Sequence, residues 1–202
     1  MHQASLSQEK FLWEKGMRLI CGIDEVGRGA LAGPLVVGAV VFPPFSKPIG
    51  GITDSKLLTA KKRRGLAEKI RLQAQAFAFG EIAPQIIDCK GIVFAFQAAA
   101  RQAIRNLSLE PGFFLIDAFP LKYIPARKQK AIIKGDRQVY SIAAASIMAK
   151  VYRDELMEKL DERYPQYRWY NNKGYGTKIH REVIRERGPS LHHRMTFLGK
   201  MI

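Results

Sequence analysis

The sequence predicts an α/β fold, in which helices pack on a sheet and a small helical lobe follows. Two observations lead to this prediction. Apolar runs with the length of buried strands alternate with stretches of helical periodicity, and the tail from 171 onward is rich in glycine, basic and aromatic residues. The chain has 202 residues and is 47% hydrophobic, enough for one sizeable core and a smaller appendage. We therefore expect a main domain over 1–163 and a C-terminal extension over 164–202.

Short β-branched and aromatic runs mark the strands, and apolar residues at helical spacing mark the helices. The predicted strands are 19–23, 35–42, 77–82, 113–116 and 131–133. The predicted helices are 8–18, 60–75, 90–106 and 141–164, the last of which is alanine-rich and ends before Pro165. The alternation of the two element types favours a sheet covered by helices.

The charge of the chain is strongly basic, with 33 Lys and Arg against 18 Asp and Glu, a net charge of +15 and a pI near 10.0. Such an excess indicates a polyanionic partner, for which nucleic acid is the first candidate. General solubility is the alternative explanation. No run approaches the roughly 20 apolar residues that span a bilayer, and the first residues lack the apolar core of a signal peptide. We expect a cytoplasmic protein with no membrane partner.

Four acidic residues stand where predicted strands or turns end. Asp24 and Glu25 directly follow the first predicted strand, Asp117 closes the fourth, and Asp136 lies in the turn before the long helix. Carboxylates raise each other's pKa and are costly to bring together without a counterion, and Mg²⁺ prefers such hard oxygen ligands. A metal site for phosphate chemistry is therefore one interpretation. Taken singly, each acid could instead cap a turn or helix or be a surface charge.

Seven ordered motifs resemble bacterial ribonuclease HII, over about residues 18–197. They are GIDEVGRGALAGPLVVGAVVF (22–42), TDSKLL (53–58), LIDAF (115–119), KGD (134–136), SIAAASIMAKVYRD (141–154), KGYGT (173–177) and HHRMTF (192–197). The resemblance implies a ribonuclease H-like fold, a mixed central sheet flanked by helices, with a small helical C-terminal extension. By position, Asp24, Glu25, Asp117 and Asp136 match the catalytic metal ligands of that family.

The activity implied by the resemblance is that of an endoribonuclease that hydrolyses RNA in RNA–DNA hybrids. It also implies nicking on the 5′ side of single ribonucleotides embedded in duplex DNA, with Mg²⁺ or Mn²⁺ as cofactor, as in ribonucleotide excision repair. The products are 3′-hydroxyl and 5′-phosphate ends. Two other functions stay open from the residues alone: a nucleic-acid-binding protein without catalysis, and a different two-metal enzyme such as a DNA nuclease.

Two elements are expected to read the sugar of the substrate. Gly27, Arg28 and Gly29 resemble the loop whose backbone contacts the 2′-hydroxyl, which alone distinguishes RNA from DNA at a given position. Glycine permits the close approach that a Cβ would block. Tyr175 matches the tyrosine that packs on the sugar next to the ribonucleotide. An ordinary tight turn and a core aromatic are the respective alternatives.

Basic side chains from three parts of the sequence are candidates to bind phosphates, although each could be a solvated surface charge. They are Lys56, Lys150, Arg153 and Arg194. Asp54 is expected to organise the loop that presents Ser55 and Lys56 and to hold no metal. With no further histidine or cysteine at ligand spacing, His192 and His193 are expected to shape the helical lobe and not to bind zinc.

Differences from related ribonucleases indicate which type of the family this sequence resembles. Ribonuclease HIII usually has an extra N-terminal domain, whereas about 18 residues precede the first motif here, which favours type HII. Some members end in a sliding-clamp-binding peptide with a glutamine and paired aromatics. This chain ends in FLGKMI, which makes clamp binding doubtful. No heptad pattern is present, so we expect a monomer.

Overall fold

A computed structural model describes residues 4–199 and shows a mixed sheet of five strands. The strands are β1 (Ile20–Val26), β2 (Leu35–Val41), β3 (Ala76–Ile82), β4 (Phe113–Asp117) and β5 (Gln129–Ile132). Their order is β3-β2-β1-β4-β5; β2 is antiparallel to both of its neighbours, β3 and β1, and β1, β4 and β5 are parallel. The predicted α/β fold is confirmed.

Helices cover both faces of the sheet. They are α1 (Ser7–Glu14), α2 (Ala60–Gln73), α3 (Pro84–Arg105), α4 (Tyr140–Arg163), α5 (Trp169–Asn172), α6 (Lys178–Arg187) and α7 (Met195–Leu198). Helices α1, α2 and α4 pack on the face to which Ile20 and Leu115 point, and α3 packs on the face of Cys21 and Ile116. This division follows from the strand geometry, because successive side chains point to opposite faces.

The long helix α4 approaches the sheet so closely that the strands need glycine beneath it. A Cβ added to Gly22 of β1 would lie 2.2 Å from the carbonyl carbon of Ser141, and one added to Gly38 of β2 would lie 2.6 Å from the Ala145 oxygen. The alanine-rich composition of α4 has the same cause, since larger side chains would hold the helix off the sheet. Its predicted span of 141–164 is confirmed to within one residue.

Two helices differ from their predicted bounds. Helix α3 begins at Pro84, six residues before the predicted start, and contains a kink at Gly91, where φ is +81°. The prediction captured the segment after the kink because the apolar periodicity begins there. Helix α1 ends at Glu14 and not at the predicted 18.

The segment after α4 forms short helices around the buried Trp169. Its apolar cluster includes Tyr167, Ile184 and Leu198, together with Ala32 and Met157 from the preceding part of the chain. The expected boundary between 163 and 164 coincides with the end of α4 but stays a prediction, because the two parts share this cluster. Within 4–199, no helix is long and apolar enough to cross a membrane.

We predict that Gly22→Ala lowers the free energy of unfolding by about 3 kcal/mol or more, because the new methyl group would clash with the backbone of α4. Gly65→Ala is the matched control. It lies in α2 with no other heavy atom within 4 Å of the added Cβ, so it should stabilise the helix by about 1 kcal/mol. Denaturant unfolding measures both values, and equal effects of the two substitutions would contradict the proposed packing.

Candidate active site

Three carboxylates meet at one end of the sheet. Oxygens of Asp24, Glu25 and Asp117 all lie within 4.8 Å of one another. They meet because β1 and β4 are parallel neighbours, with Ile23 of β1 paired with Ile116 of β4, so that the acids following these residues are brought side by side. Three of the four acids that the sequence singled out are thus brought together.

The position of two of the acids along β1 differs from the expectation. Asp24 and Glu25 were expected to follow the strand, but β1 continues to Val26. Both acids pair with residues of β2 in the antiparallel ladder. The strand is longer than the apolar run because the partner strand continues to supply hydrogen bonds after the hydrophobic residues end.

Asp136 reaches the same cavity from a short 3-10 turn, Gly135–Arg137. The backbone N–H of Gly135 donates to Asp117 Oδ1 at 2.7 Å, which ties this turn to the end of β4. A Cβ on Gly135 would lie 2.7 Å from Ile142 Cδ1 and 3.4 Å from the same Asp117 oxygen. Glycine is therefore required for the turn to come this close to the acids.

Burial raises the pKa of every member of this acidic cluster, and neighbouring carboxylates raise it further for Asp24, Glu25 and Asp136. Desolvation is the largest cause for Asp24, followed by the charges of Glu25 and Asp117, and its pKa lies well above the usual range. Burial likewise raises the pKa of Glu25 to about 7, although the nearby Arg28 opposes the rise. Burial also raises the pKa of Asp117 and of Asp136. Such a cluster is costly without a cation.

A cavity of about 410 Å³ contains most of the residues that the sequence singled out. Its lining includes the four acids, the Gly27–Arg28–Gly29 loop, Lys56, Lys150 and Tyr175. Lys56 is exposed, and its ammonium forms no ion pair within the described part of the chain. Lys150 is paired with Asp154 at 2.6 Å, and its Nζ lies 5.5 Å from the centre of the Tyr175 ring.

The glycine loop has one crowded and one open glycine. Gly27 has φ of +90°, and an added Cβ would lie 2.2 Å from Nε of Arg153. At Gly29 no other heavy atom lies within 4 Å of that position, so the loop is open there. Arg28 between them directs Nη1 to Glu25 Oε1 at 3.3 Å and lies over the ring of Phe119 at 4.9 Å.

Arg153 and Arg194 correct the expectation of phosphate contacts, because both are 0% exposed. Arg153 donates to the carbonyl oxygens of Pro34, Lys173 and Ala32 at 2.8–2.9 Å. Arg194 donates twice to the Gly33 carbonyl and once to that of Arg28, at 2.9–3.1 Å. Burial lowers the pKa of Arg194 to about 9, with Arg153 as the next cause. Arg194 thus holds the glycine loop through the Arg28 carbonyl, whereas Arg153 packs against Gly27 and holds the segment that follows the loop. Both guanidinium groups are buried within the protein.

Two serines of the site were missed by the sequence analysis as site residues. Ser146 lines the cavity from α4, and its Oγ lies 3.0 Å from the Oγ of Ser55. The only sequence signal was a hydroxyl within an alanine-rich helix, which reads equally well as core. Asp54 behaves as expected: its Oδ1 accepts from the Lys56 backbone N–H at 2.9 Å, and its Oδ2 pairs with Arg137 at 3.1 Å.

Solved structures place the fold in a known class, the ribonuclease H-like α/β proteins of type 2. Ribonuclease H2 of Pyrococcus horikoshii OT3 has a TM-score of 0.71 and 24% identity, covering 91% of this chain and 96% of that one. Bst-RNase HIII in complex with Mn²⁺ has a TM-score of 0.69 and 21% identity, covering 89% of this chain and 67% of that one. RNase HII of Archaeoglobus fulgidus, solved in a complex with PCNA, has a TM-score of 0.72 and 29% identity, covering 88% and 94%.

The sequence comparisons then give the family. The family model described as Ribonuclease HII matches residues 21–200. A ribonuclease HII of Dehalococcoides mccartyi is 46% identical over 95% of this chain and 91% of its own length. A ribonuclease HII of Listeria monocytogenes is 48% identical over 94% of this chain and 71% of its own length. The chain belongs to the ribonuclease HII family, whose members are metal-dependent endoribonucleases with ribonuclease H activity on RNA–DNA hybrids.

We predict that Arg194→Ala lowers the free energy of unfolding by about 3 kcal/mol, because two buried carbonyl oxygens lose their donors. Lys56→Ala should stay within about 0.5 kcal/mol of the wild type, because its side chain is exposed, and should weaken substrate binding instead. Urea denaturation and binding titrations in EDTA separate the two effects. A stable Arg194→Ala protein with weakened binding would restore the phosphate role for Arg194.

Proposed function

We propose that this protein hydrolyses the RNA strand of RNA–DNA hybrids and also nicks duplex DNA on the 5′ side of single embedded ribonucleotides. The cut leaves 3′-hydroxyl and 5′-phosphate ends. One observation carries the proposal: three carboxylates with oxygens within 4.8 Å of one another line a cavity that also contains the open glycine loop and Tyr175. The carboxylates proposed to hold the catalytic metal and the groups proposed to recognise the sugar therefore line the same cavity.

The residues present fit a divalent cation. Oε2 of Glu25 is buried and has no hydrogen-bond partner within 4–199, and the acids around it carry raised pKa values. Asp24, Glu25, Asp117 and Asp136 would hold Mg²⁺ or Mn²⁺. Two such ions would lower the pKa of an attacking water and neutralise the leaving oxygen of the phosphodiester. The protein would supply the hard oxygen ligands from β1, from the end of β4 and from the Gly135–Arg137 turn.

The glycine loop is suited to recognise the 2′-hydroxyl through its backbone. Within the described residues, the N–H groups of Arg28 and Gly29 have no hydrogen-bond acceptor. The open space at Gly29 allows a sugar to approach them. A deoxyribonucleotide at this position has no 2′-hydroxyl, so these N–H donors would stay without an acceptor. The loop would therefore favour a ribonucleotide.

Phosphate binding falls to fewer residues than the sequence indicated. Lys56 and Lys150 line the cavity beside the acids, and the net charge of +15 favours association with a polyanion. Two expectations from the sequence pattern also stay proposals: the protein is a monomer and acts in the cytoplasm. The family resemblance adds a role in ribonucleotide excision repair. Clamp binding stays doubtful and untested, because residues 200–202 lie outside the described residues.

The test uses an end-labelled DNA duplex with one ribonucleotide, an all-DNA control and a continuous hybrid, each with Mg²⁺, Mn²⁺ or EDTA. We expect a metal-dependent nick 5′ of the ribonucleotide and none in the all-DNA duplex. Binding without a nick in any metal would replace the enzyme with a nucleic-acid-binding protein. Equal cutting of the all-DNA duplex would indicate a general DNA nuclease.

In the same assay, Asp24→Asn should lower cleavage at least about 10³-fold and leave binding in EDTA largely unchanged. The substitution removes a ligand charge at nearly constant shape. It also removes a buried charge from a repulsive cluster, so the metal-free variant should melt about 2–4 °C higher than the metal-free wild type. Thermal melts with and without Mn²⁺ provide the check. Wild-type activity would exclude Asp24 from the catalytic set.

Tyr175→Ala should lower cleavage at a single embedded ribonucleotide about 10-fold more than cleavage of a continuous hybrid. The reason is that a ring packed on one sugar matters most where only one ribonucleotide is available. The measurement is kcat/KM on both substrates, with Tyr170→Ala, an exposed aromatic outside the cavity lining, as the control. Equal losses on both substrates would show that Tyr175 only supports the fold.

A further inference from the structure

We propose that a buried pair of neutral histidines, His180 and His193, positions Tyr175 and thereby sets the preference for a single embedded ribonucleotide. His180 would act as a positioning residue through the Tyr175 backbone, and His193 through His180. The inference rests on the proposed role of the Tyr175 ring in substrate binding. It gives a function to the two histidines, which the metal site and the glycine loop do not use.

The pair forms a continuous chain of hydrogen bonds across the C-terminal lobe. His180 in α6 is 0% exposed and His193 is 2% exposed, and their Nε2 atoms lie 3.1 Å apart. At one end, His180 Nδ1 lies 2.9 Å from the carbonyl oxygen of Tyr175. At the other end, the backbone N–H of Ser190 donates to His193 Nδ1 at 2.9 Å.

The outer partners determine which nitrogens carry protons. A carbonyl oxygen only accepts, so His180 Nδ1 carries a proton and Nε2 of a neutral ring is the acceptor. A backbone N–H only donates, so His193 Nδ1 is the acceptor and its Nε2 carries the proton. The two assignments are made independently and agree at the centre, where His193 donates to His180.

A third partner supports the assignment for His180. The indole N–H of Trp169, which can only donate, lies 3.1 Å from His180 Nε2. Trp169 is 0% exposed, so neither group has water as an alternative partner. The lone pair of His180 Nε2 is therefore shared by two donors, the Trp169 indole N–H and the His193 Nε2–H. A proton on His180 Nε2 would instead point toward these two N–H groups and have no acceptor.

The histidine chain ends on the peptide that carries the substrate-facing ring. Besides His180, the Tyr175 carbonyl accepts from Thr177 N–H at 2.8 Å, and the Tyr175 N–H donates to Asn172 O at 2.9 Å. The preceding Gly174 has φ of +81°, and a Cβ there would lie 2.4 Å from the Ala32 oxygen. These contacts hold the backbone on both sides of the ring, which lies near Lys150 and the guanidinium of Arg153.

Both histidines are held neutral by their surroundings. Burial lowers the pKa of His180, and burial together with the neighbouring His180 lowers the pKa of His193 to about 4. The other titratable groups that face the pair are Tyr167 and His192, and Arg163 acts on His192. Because these pKa values lie below those of the unfolded chain, the contribution to stability is complete above about pH 6.5 and is lost as the pH falls toward 4.

The first test needs no variant. Nitrogen-15 NMR of the wild-type protein with labelled histidine, at pH 7.5, should show the Nδ1–H tautomer for His180 and the Nε2–H tautomer for His193. His180→Asn and His193→Gln spectra assign the signals. An Nε2–H tautomer at His180 would overturn the proposal, because its Nδ1 could not donate to the Tyr175 carbonyl. A charged ring at either position would also overturn it, because the two Nε2 atoms would then both carry protons or the pair would not be neutral.

The second test compares two substitutions of His180. His180→Asn keeps a donor near the Nδ1 position, whereas His180→Leu removes it, and both lose the acceptor for Trp169 and His193. For His180→Leu we expect the ratio of kcat/KM on the embedded ribonucleotide to kcat/KM on the continuous hybrid to fall about 10-fold. His180→Asn should change this ratio less than about 3-fold, although both variants lose thermal stability. A purely structural role would lower activity on both substrates alike.

A double-mutant cycle with Tyr175→Ala separates this inference from the proposed function. If His180 acts through the ring, His180→Leu should change the ratio no further in the Tyr175→Ala background. Effects that multiply would overturn the positioning role. If Tyr175→Ala alone changes the ratio but His180→Leu does not, this inference fails and the proposed function stands. An unchanged ratio for Tyr175→Ala would defeat the proposed role of the ring, and this inference with it.

Discussion

The close contact of helix α4 with the sheet is the constraint on which the site depends. Along its length the helix meets Gly22 and Gly38 in the strands, and Arg153 from the same helix lies against Gly27 in the loop. Ser146, between these points, lines the cavity of the acids. One straight element therefore sets the position of the strands, the acids and the loop. A larger side chain at any of these glycines would move all three relative to one another.

The acidic cluster lies in a chain whose net charge is strongly positive, at +15. Burial and repulsion raise the pKa of Asp24 and Glu25, which is a cost to the folded protein that a bound cation would relieve. Few of the basic residues act on the cluster directly: Arg28 opposes the pKa rise at Glu25, and Lys56 opposes it at Asp117 and Asp136. Arg28 is the only arginine within salt-bridge distance of Asp24 or Glu25 in the described chain, at 3.3 Å from Glu25. Under the proposed function, the cluster would thereby be available for a metal, and the surface charge would attract the polyanion.

Buried side chains of the C-terminal lobe hold the backbone of segments that line the site. Arg194 holds the carbonyl oxygens of Gly33 and Arg28, and the histidine pair holds that of Tyr175. Arg194 satisfies two backbone acceptors that would otherwise have no donor, and His180 adds a second donor to a carbonyl that also accepts from the Thr177 N–H. The lobe is thus joined to the rest of the protein by polar contacts beside the cavity of the acids as well as by the apolar cluster that it shares with Ala32 and Met157.

The sequence alone determined the α/β class, the five strands to within a few residues and the set of four acids, because these follow from local hydrophobic pattern and from motif resemblance. It did not determine the end of β1, which depends on pairing with β2. It also misjudged Arg153 and Arg194, since an arginine reads as a surface charge until its neighbours are known. Arg194 and Gly33 are 161 positions apart, and His180 and His193 are 13 apart. Only the tertiary structure decided these roles, because burial and hydrogen-bond partners are set by residues that no local pattern connects.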